Sequence, residues 1–194
     1  SGMAECAGLL HDLGKYCREF QARLRGSNNR VDHATWGAII VNKKYGKIGR
    51  LLAYAIAGHH AGLADGREGE QNSITPLAGR LARTPETELD DIWQQEISLA
   101  QNLALPPMKL RQGQNFFQLA FLGRMIFSCL VDADFLDTEA FYNRIEKLPP
   151  RDNNFPSLVQ LRDELNVYLS QPRFQREDGV NKIRGHILRE VRRG

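Results

Sequence analysis

The chain has 194 residues, 42% of them hydrophobic and 25% charged, with a net charge of +3. That length and balance suit one globular domain with a sizeable core, and so small a charge is no argument by itself for a nucleic-acid partner. No apolar run nears the roughly 18 residues that cross a bilayer, and three cysteines without a CxxC pair fit reduced thiols in a reducing, cytoplasmic compartment.

Helical periodicity dominates, and no alternating strand pattern stands out. Ala4 to Gln21 places Cys6, Leu9, Leu10, Leu13 and Phe20 mostly on one helical face, with Gly14 weakening the middle. Gly26-Ser27-Asn28-Asn29 has turn chemistry. A second helix is expected from Asp32 or His33, where Asp32 can cap it, to about Lys44, with Tyr45-Gly46-Lys47 as a glycine stop. A third runs from about Ile48 to His59, and Gly62 to Gln71 is a glycine-rich polar loop. Thr75-Pro76 and Thr84-Pro85-Glu86 both read as helix starts, the second leading into Leu89 to Leu103. After a break at Pro106-Pro107, Asn115 to Val131 is the most apolar long segment and reads as a central helix buried on most sides. Asp137-Thr138-Glu139 signals a further helix to Ile145. After Pro149-Pro150, Phe155-Pro156 opens one to about Leu169, and Asn181 to Val191 forms the last. The predicted architecture is an all-α bundle, read as a single domain over 1–194 with a core over about 4–145 and C-terminal helices over about 155–192.

Against this apolar background, histidine and aspartate cluster. His11-Asp12 lies in Leu9-Leu10-His11-Asp12-Leu13-Gly14-Lys15, and His59-His60 lies in Ala57-Gly58-His59-His60-Ala61-Gly62. With His33, Asp132 and Asp134 they make a set of imidazoles and carboxylates suited to a transition metal. Their long separations exclude a zinc-finger spacing and point to ligands delivered by several helices into a bundle interior. Asp134 follows Leu130 and Val131 at helical spacing, so it shares an apolar face where a carboxylate needs a cation. Asp132 is rotated about 200° from Asp134 on an ideal helix, so only one of the two faces the site.

The order HD, H, HH, D resembles the HD superfamily of metal-dependent phosphohydrolases. Leu9 to Lys15 with Glu19-Phe20-Gln21, together with Asp32-His33, Ala57 to Gly62 and Ser128 to Asp134, is similar to one branch, the HD nuclease domain of the CRISPR type I helicase–nuclease. That resemblance covers about residues 4–145. It implies cleavage of single-stranded DNA in antiviral interference by one or two divalent ions. It also implies partnership with a helicase module, fused or separate, and with the CRISPR surveillance complex, and no role for a membrane. On the matching positions, His11 and Asp12 are metal ligands with Asp12 bridging, His33, His59 and His60 complete one ion's shell, and Asp134 closes the other. Lys15, three residues beyond Asp12, matches the family's lysine near the scissile phosphate. The family carries a further histidine on a helix preceding the HD doublet, whereas ten residues precede His11 here, so the resemblance implies a chain shortened at its start.

Phosphodiester hydrolysis needs an activated nucleophile and charge stabilisation, which two ions about 3.5–4 Å apart supply together. Mixed imidazole and carboxylate ligation suits Mn, Fe, Co, Ni or Zn better than Mg. Positive charge for a strand comes from Arg23, Arg25, Arg30, Lys43, Lys44 and Lys47. Tyr16, Phe20 and Trp36 are available as stacking platforms, although core packing is the better account of Phe20 and Trp36. Two alternatives stand beside the nuclease: a nucleotide or cyclic-nucleotide phosphohydrolase, and a catalytically impaired DNA-binding module.

Overall fold

A computed structural model describes residues 2–28, 30–65, 76–83, 85–149, 151, 154–174 and 178–193. Among them the structure is helical with no strand, and its one extended pairing is an isolated bridge between Cys17 and Leu89. Internal packing divides the chain into two units, residues 1–146 and 147–194.

In the first unit, α1 (Gly2–Leu10) buries Met3, Cys6, Ala7 and Leu10, the i, i+3, i+4, i+7 face of a helix. The expected continuous helix to Gln21 is instead broken in two places. His11-Asp12 turns the chain, Leu13–Tyr16 forms a single 3-10 turn, and α2 (Arg18–Leu24) starts afresh. Leu13, Cys17 and Phe20 all remain buried across the break.

The long α3 (Ala34–Gly58) is in effect the two expected helices. Gly46, with φ 55°, departs from helical geometry and reverses the chain between arms 34–45 and 47–58. The first arm buries Ala38 and Val41, the second Leu52, Ala53 and Ile56, and α3 packs against α1, α4 (Leu77–Ala82) and α6 (Asn115–Glu146). Asp32 caps the first arm as expected, accepting from the backbone N–H groups of Ala34 and Thr35 at 3.1 Å each. Of the expected loop 62–71 only 62–65 are described; Asn29, Thr75, Thr84 and Pro150, named in other expected turns and starts, also lie outside the described residues.

Two expectations fail in the segment that follows. Leu89 to Leu103 is not a helix; its helical part is the single turn α5 (Trp93–Glu96). Beyond it, Ile97, Leu99, Leu103 and Leu105 pack against the core with a period of two, which fits extended chain and not a helix. Tertiary bonds hold the path: Trp36 Nε1 donates to the Thr87 carbonyl at 3.1 Å, Asp90 N–H to the Tyr16 carbonyl at 3.1 Å, and Tyr45 Oη to the Ala100 carbonyl at 2.5 Å.

The second failure concerns α6. It is continuous over 32 residues, runs through the start signal at Asp137-Thr138-Glu139, and gives way at Lys147, whose φ is 54°. It is also not central: Gly123, Ile126 and Leu130 are buried, whereas Phe116 and Phe117 are 82% and 74% exposed. Apolarity indicates that a helix can be buried, but only packing decides which face is. No helix among the described residues is long and apolar enough to cross a membrane.

The second unit holds α7 (Leu158–Leu169) and α8 (Gly179–Arg193). α7 starts two residues after the expected Phe155-Pro156 opening because Ser157 forms a capping box. Its Oγ accepts from Gln160 N–H at 3.2 Å, while Gln160 Oε1 accepts from Ser157 N–H at 2.7 Å.

Candidate metal centre

Four segments of the first unit converge on Asp12. The turn after α1 carries Asp12 itself and His11. His33 precedes the first arm of α3, His59 and His60 follow the second arm, and Asp134 comes from α6. The reversal at Gly46 brings His33, some 26 residues before His59, within 5.8 Å of it and within 4.9 Å of His60, ring centre to ring centre. Gly14 permits the close approach of the 3-10 turn to His33: its N–H donates to the His33 carbonyl at 2.9 Å, and a Cβ there would fall 2.4 Å from the His33 Cα.

The two oxygens of Asp12 face different partners. Oδ1 lies 3.5 Å from His33 Nε2 and 3.7 Å from His59 Nε2. Oδ2 lies 3.2 Å from His11 Nε2 and 2.5 Å from Lys15 Nζ, and His11 Nε2 is in turn 3.7 Å from Asp134 Oδ1. Two groups result, each with its ligand atoms within 4.8 Å of one another: Asp12 with His33, His59 and His60, and His11 with Asp12 and Asp134. Asp12 belongs to both. Asp132 is exposed and belongs to neither.

Several of these atoms are buried without a hydrogen bond: Asp12 Oδ1, both ring nitrogens of His33, and His59 Nε2. A carboxylate oxygen and imidazole nitrogens left unpaired out of water are costly, and a divalent cation among them removes that cost. The donor set of imidazoles and carboxylates therefore fits a transition-metal ion. His11 and His59 are also pre-set in tautomer. Their Nδ1 atoms lie 2.7 Å from the carbonyls of Gly8 and Ile56, so each turns Nε2 toward Asp12.

Electrostatics agree with the geometry. Burial acts against the Asp12 carboxylate, but His11, His59 and Lys15 outweigh it and hold the group well below the usual carboxylate range. Burial, reinforced by the neighbouring histidines, lowers the pKa of His33 and His60 and keeps both neutral, the form that offers a lone pair to a metal. His11 goes the other way: burial is overcome by its hydrogen bond and charge contact with Asp12, and its pKa rises.

The aromatic residues raised as strand platforms are engaged elsewhere. Phe20 is buried with its ring 5.3 Å from His33, Trp36 is hydrogen-bonded to Thr87, and Tyr16 Oη donates to Glu96 at 2.6 Å. Sequence reasoning missed Arg80, a lone arginine on a six-residue helix. Its guanidinium reaches Asp32, Thr35 and the Ala57 carbonyl beside the site. No spacing or motif could have singled it out.

A family model described as Cas3, HD domain matches residues 2–128. The match includes His11, Asp12, Lys15, His33, His59 and His60 and ends six residues before Asp134. No curated protein matches the chain. Because the family match spans well over half of the sequence and contains the converging His and Asp segments, this chain belongs to the Cas3 HD-domain family of CRISPR-associated, HD-type metal-dependent hydrolases.

Proposed function

We propose that the chain hydrolyses phosphodiester bonds of single-stranded DNA in CRISPR type I interference, using one or two divalent ions of the Mn, Fe, Co, Ni or Zn kind. The observation that carries this reading is the division of Asp12: one oxygen toward His33 and His59, the other toward His11. A carboxylate so placed can bridge two cations, the arrangement that suits in-line displacement at phosphorus. His33, His59 and His60 with Asp12 Oδ1 would hold one ion, and His11 and Asp134 with Asp12 Oδ2 the other. When bound, the ions would activate water and neutralise charge on the phosphate.

The remaining work falls to the chain. Lys15 Nζ, paired with Asp12 and partly exposed, stands where it can exchange that carboxylate for a phosphate oxygen and act as a point charge on the transition state. The Gly8 and Ile56 carbonyls hold the His11 and His59 rings in the ligating orientation. In this reading the protein works in the cytoplasm with a helicase module and the CRISPR surveillance complex, which deliver the single strand.

The test is degradation of circular single-stranded DNA by protein loaded with Mn or Ni. Wild type is expected to cut it, and Asp12→Ala, which removes the residue shared by both groups, to abolish cutting. Intact circles after incubation with fully loaded wild type would overturn the reading. Phosphate release from nucleotides instead would favour a nucleotide hydrolase, and DNA binding with no turnover of either substrate would favour a binding module.

A further inference from the structure

A multidentate site works only if its ligands keep their spacing, and here one group depends on two ends of one folded helix. His33 precedes the first arm of α3 and His59-His60 follow the second, so this group is only as well placed as the two ends are tied. Arg80, from α4, bonds to both. Its Nε and Nη2 donate to Thr35 Oγ1 at 3.2 and 2.9 Å, and Nη2 to Asp32 Oδ2 at 3.2 Å, all at the start of the first arm. Its Nη1 donates to the Ala57 carbonyl at 2.5 Å, at the end of the second. Ala57 is among the last four residues of α3, whose carbonyls lack helical partners and carry the negative end of the helix dipole. The Arg80 side chain is 16% exposed, and Thr35 and Ala57 are buried, so water competes little for the bonds to those two, whereas the Asp32 side chain is 57% exposed.

We propose that Arg80 is a positioning residue whose guanidinium locks the two ends of α3 together so that His33 and His59-His60 meet at Asp12. It touches no ligand atom; it acts through Asp32, the residue before His33, through Thr35, the second residue of α3, and through the carbonyl two residues before His59. The fork geometry matters, because a planar guanidinium can serve three acceptors in fixed directions and a lysine ammonium cannot. The inference rests on the reading that this group holds a divalent ion.

The experiment titrates Mn²⁺ into metal-free wild type, Arg80→Lys, Arg80→Ala, Thr35→Val and His33→Ala, below each melting temperature, and measures the number of ions bound and their affinities. Loss of an outer partner of a ligand weakens metal affinity by about 10–100-fold. That loss is expected for one ion in both Arg80 variants, with the ion at His11 and Asp134 retained. Arg80→Lys is expected to recover melting temperature more fully than affinity, which a merely structural arginine would not do. Arg80→Ala on top of His33→Ala is expected to add little. Should Arg80→Ala not fold, Arg80→Lys and Thr35→Val carry the test. If wild type binds no ion, the metal reading falls and this inference with it. If wild type binds and the folded Arg80 variants bind equally well, or the losses at Arg80 and His33 add in full, the inference alone is overturned.

Discussion

Replacing Gly14 with alanine adds one methyl group at the point where the 3-10 turn touches the chain entering α3. The new Cβ would lie 2.4 Å from His33 Cα and 2.5 Å from its carbonyl oxygen, where ordinary contact begins at 3.4 Å. Both obstacles are backbone, so no side-chain rotation relieves them, and the two segments must part by about 1 Å. That movement breaks the 2.9 Å hydrogen bond from Gly14 N–H to the His33 carbonyl, worth about 1 kcal/mol, and adds overpacking strain of about 1–3 kcal/mol. The sum, about 2–4 kcal/mol, corresponds to a fall in melting temperature of roughly 5–15 °C for a chain of this length. Metal affinity should suffer separately. The His33 Nε2 to Asp12 Oδ1 distance is 3.5 Å, and ligand positions tolerate errors of only about 0.2 Å. Mn²⁺ titration of folded Gly14→Ala, with thermal melting followed by circular dichroism, is the assay. A variant that melts with wild type and binds metal with wild-type affinity would refute both the close approach and its role in placing His33.

Metal loading should stabilise the chain: at 100 times its Kd, one ion adds about 2.7 kcal/mol, so a chelator should lower the melting temperature by roughly 5–11 °C, and no change would argue against binding to the folded state. Asp32→Ala removes the cap of α3 at a cost of about 1 kcal/mol. Burial opposes the Asp32 charge, but the Thr35 hydroxyl and Arg80 outweigh it and lower its pKa; its contribution is therefore present above the unfolded value of about 3.9 and lost as pH falls through the folded value. Melting of wild type and variant should converge in acid, and a gap independent of pH would contradict the charge contribution. Ile126→Ala, on the packed face of α6, should cost about 2–5 kcal/mol, whereas Phe117→Ser, on its exposed face, should stay within about 0.5 kcal/mol by denaturant melting. Equal losses would mean that α6 packs on both sides.

The sequence determined the helical class, the helix stop at Gly46, the cap at Asp32 and the identities of the residues that gather at the centre. Each has a local cause: a period of 3.6, a glycine free to take positive φ, an acid that accepts from the first helical N–H groups, and side chains too polar for the apolar runs they interrupt. It also ranked Asp134 above Asp132, because helical rotation alone puts only one of them toward the packed face, and in the fold Asp134 Oδ1 lies 3.7 Å from His11 Nε2. Tertiary structure decided the rest. The chain from Leu89 to Leu103 has helix-compatible residues, but outside the turn Trp93–Glu96 it is not helical, and bonds to the Tyr16 carbonyl and from Tyr45 tie its path to the fold. The apolar face of α6 was legible as apolar, but whether a neighbour covers it is not a property of the helix. Gly14 read as a weak point in a helix, and in the fold its missing Cβ is what lets the HD turn rest on His33. Arg80 carried no signal, because a bond between the two ends of a folded-back helix exists only once the helix has folded back.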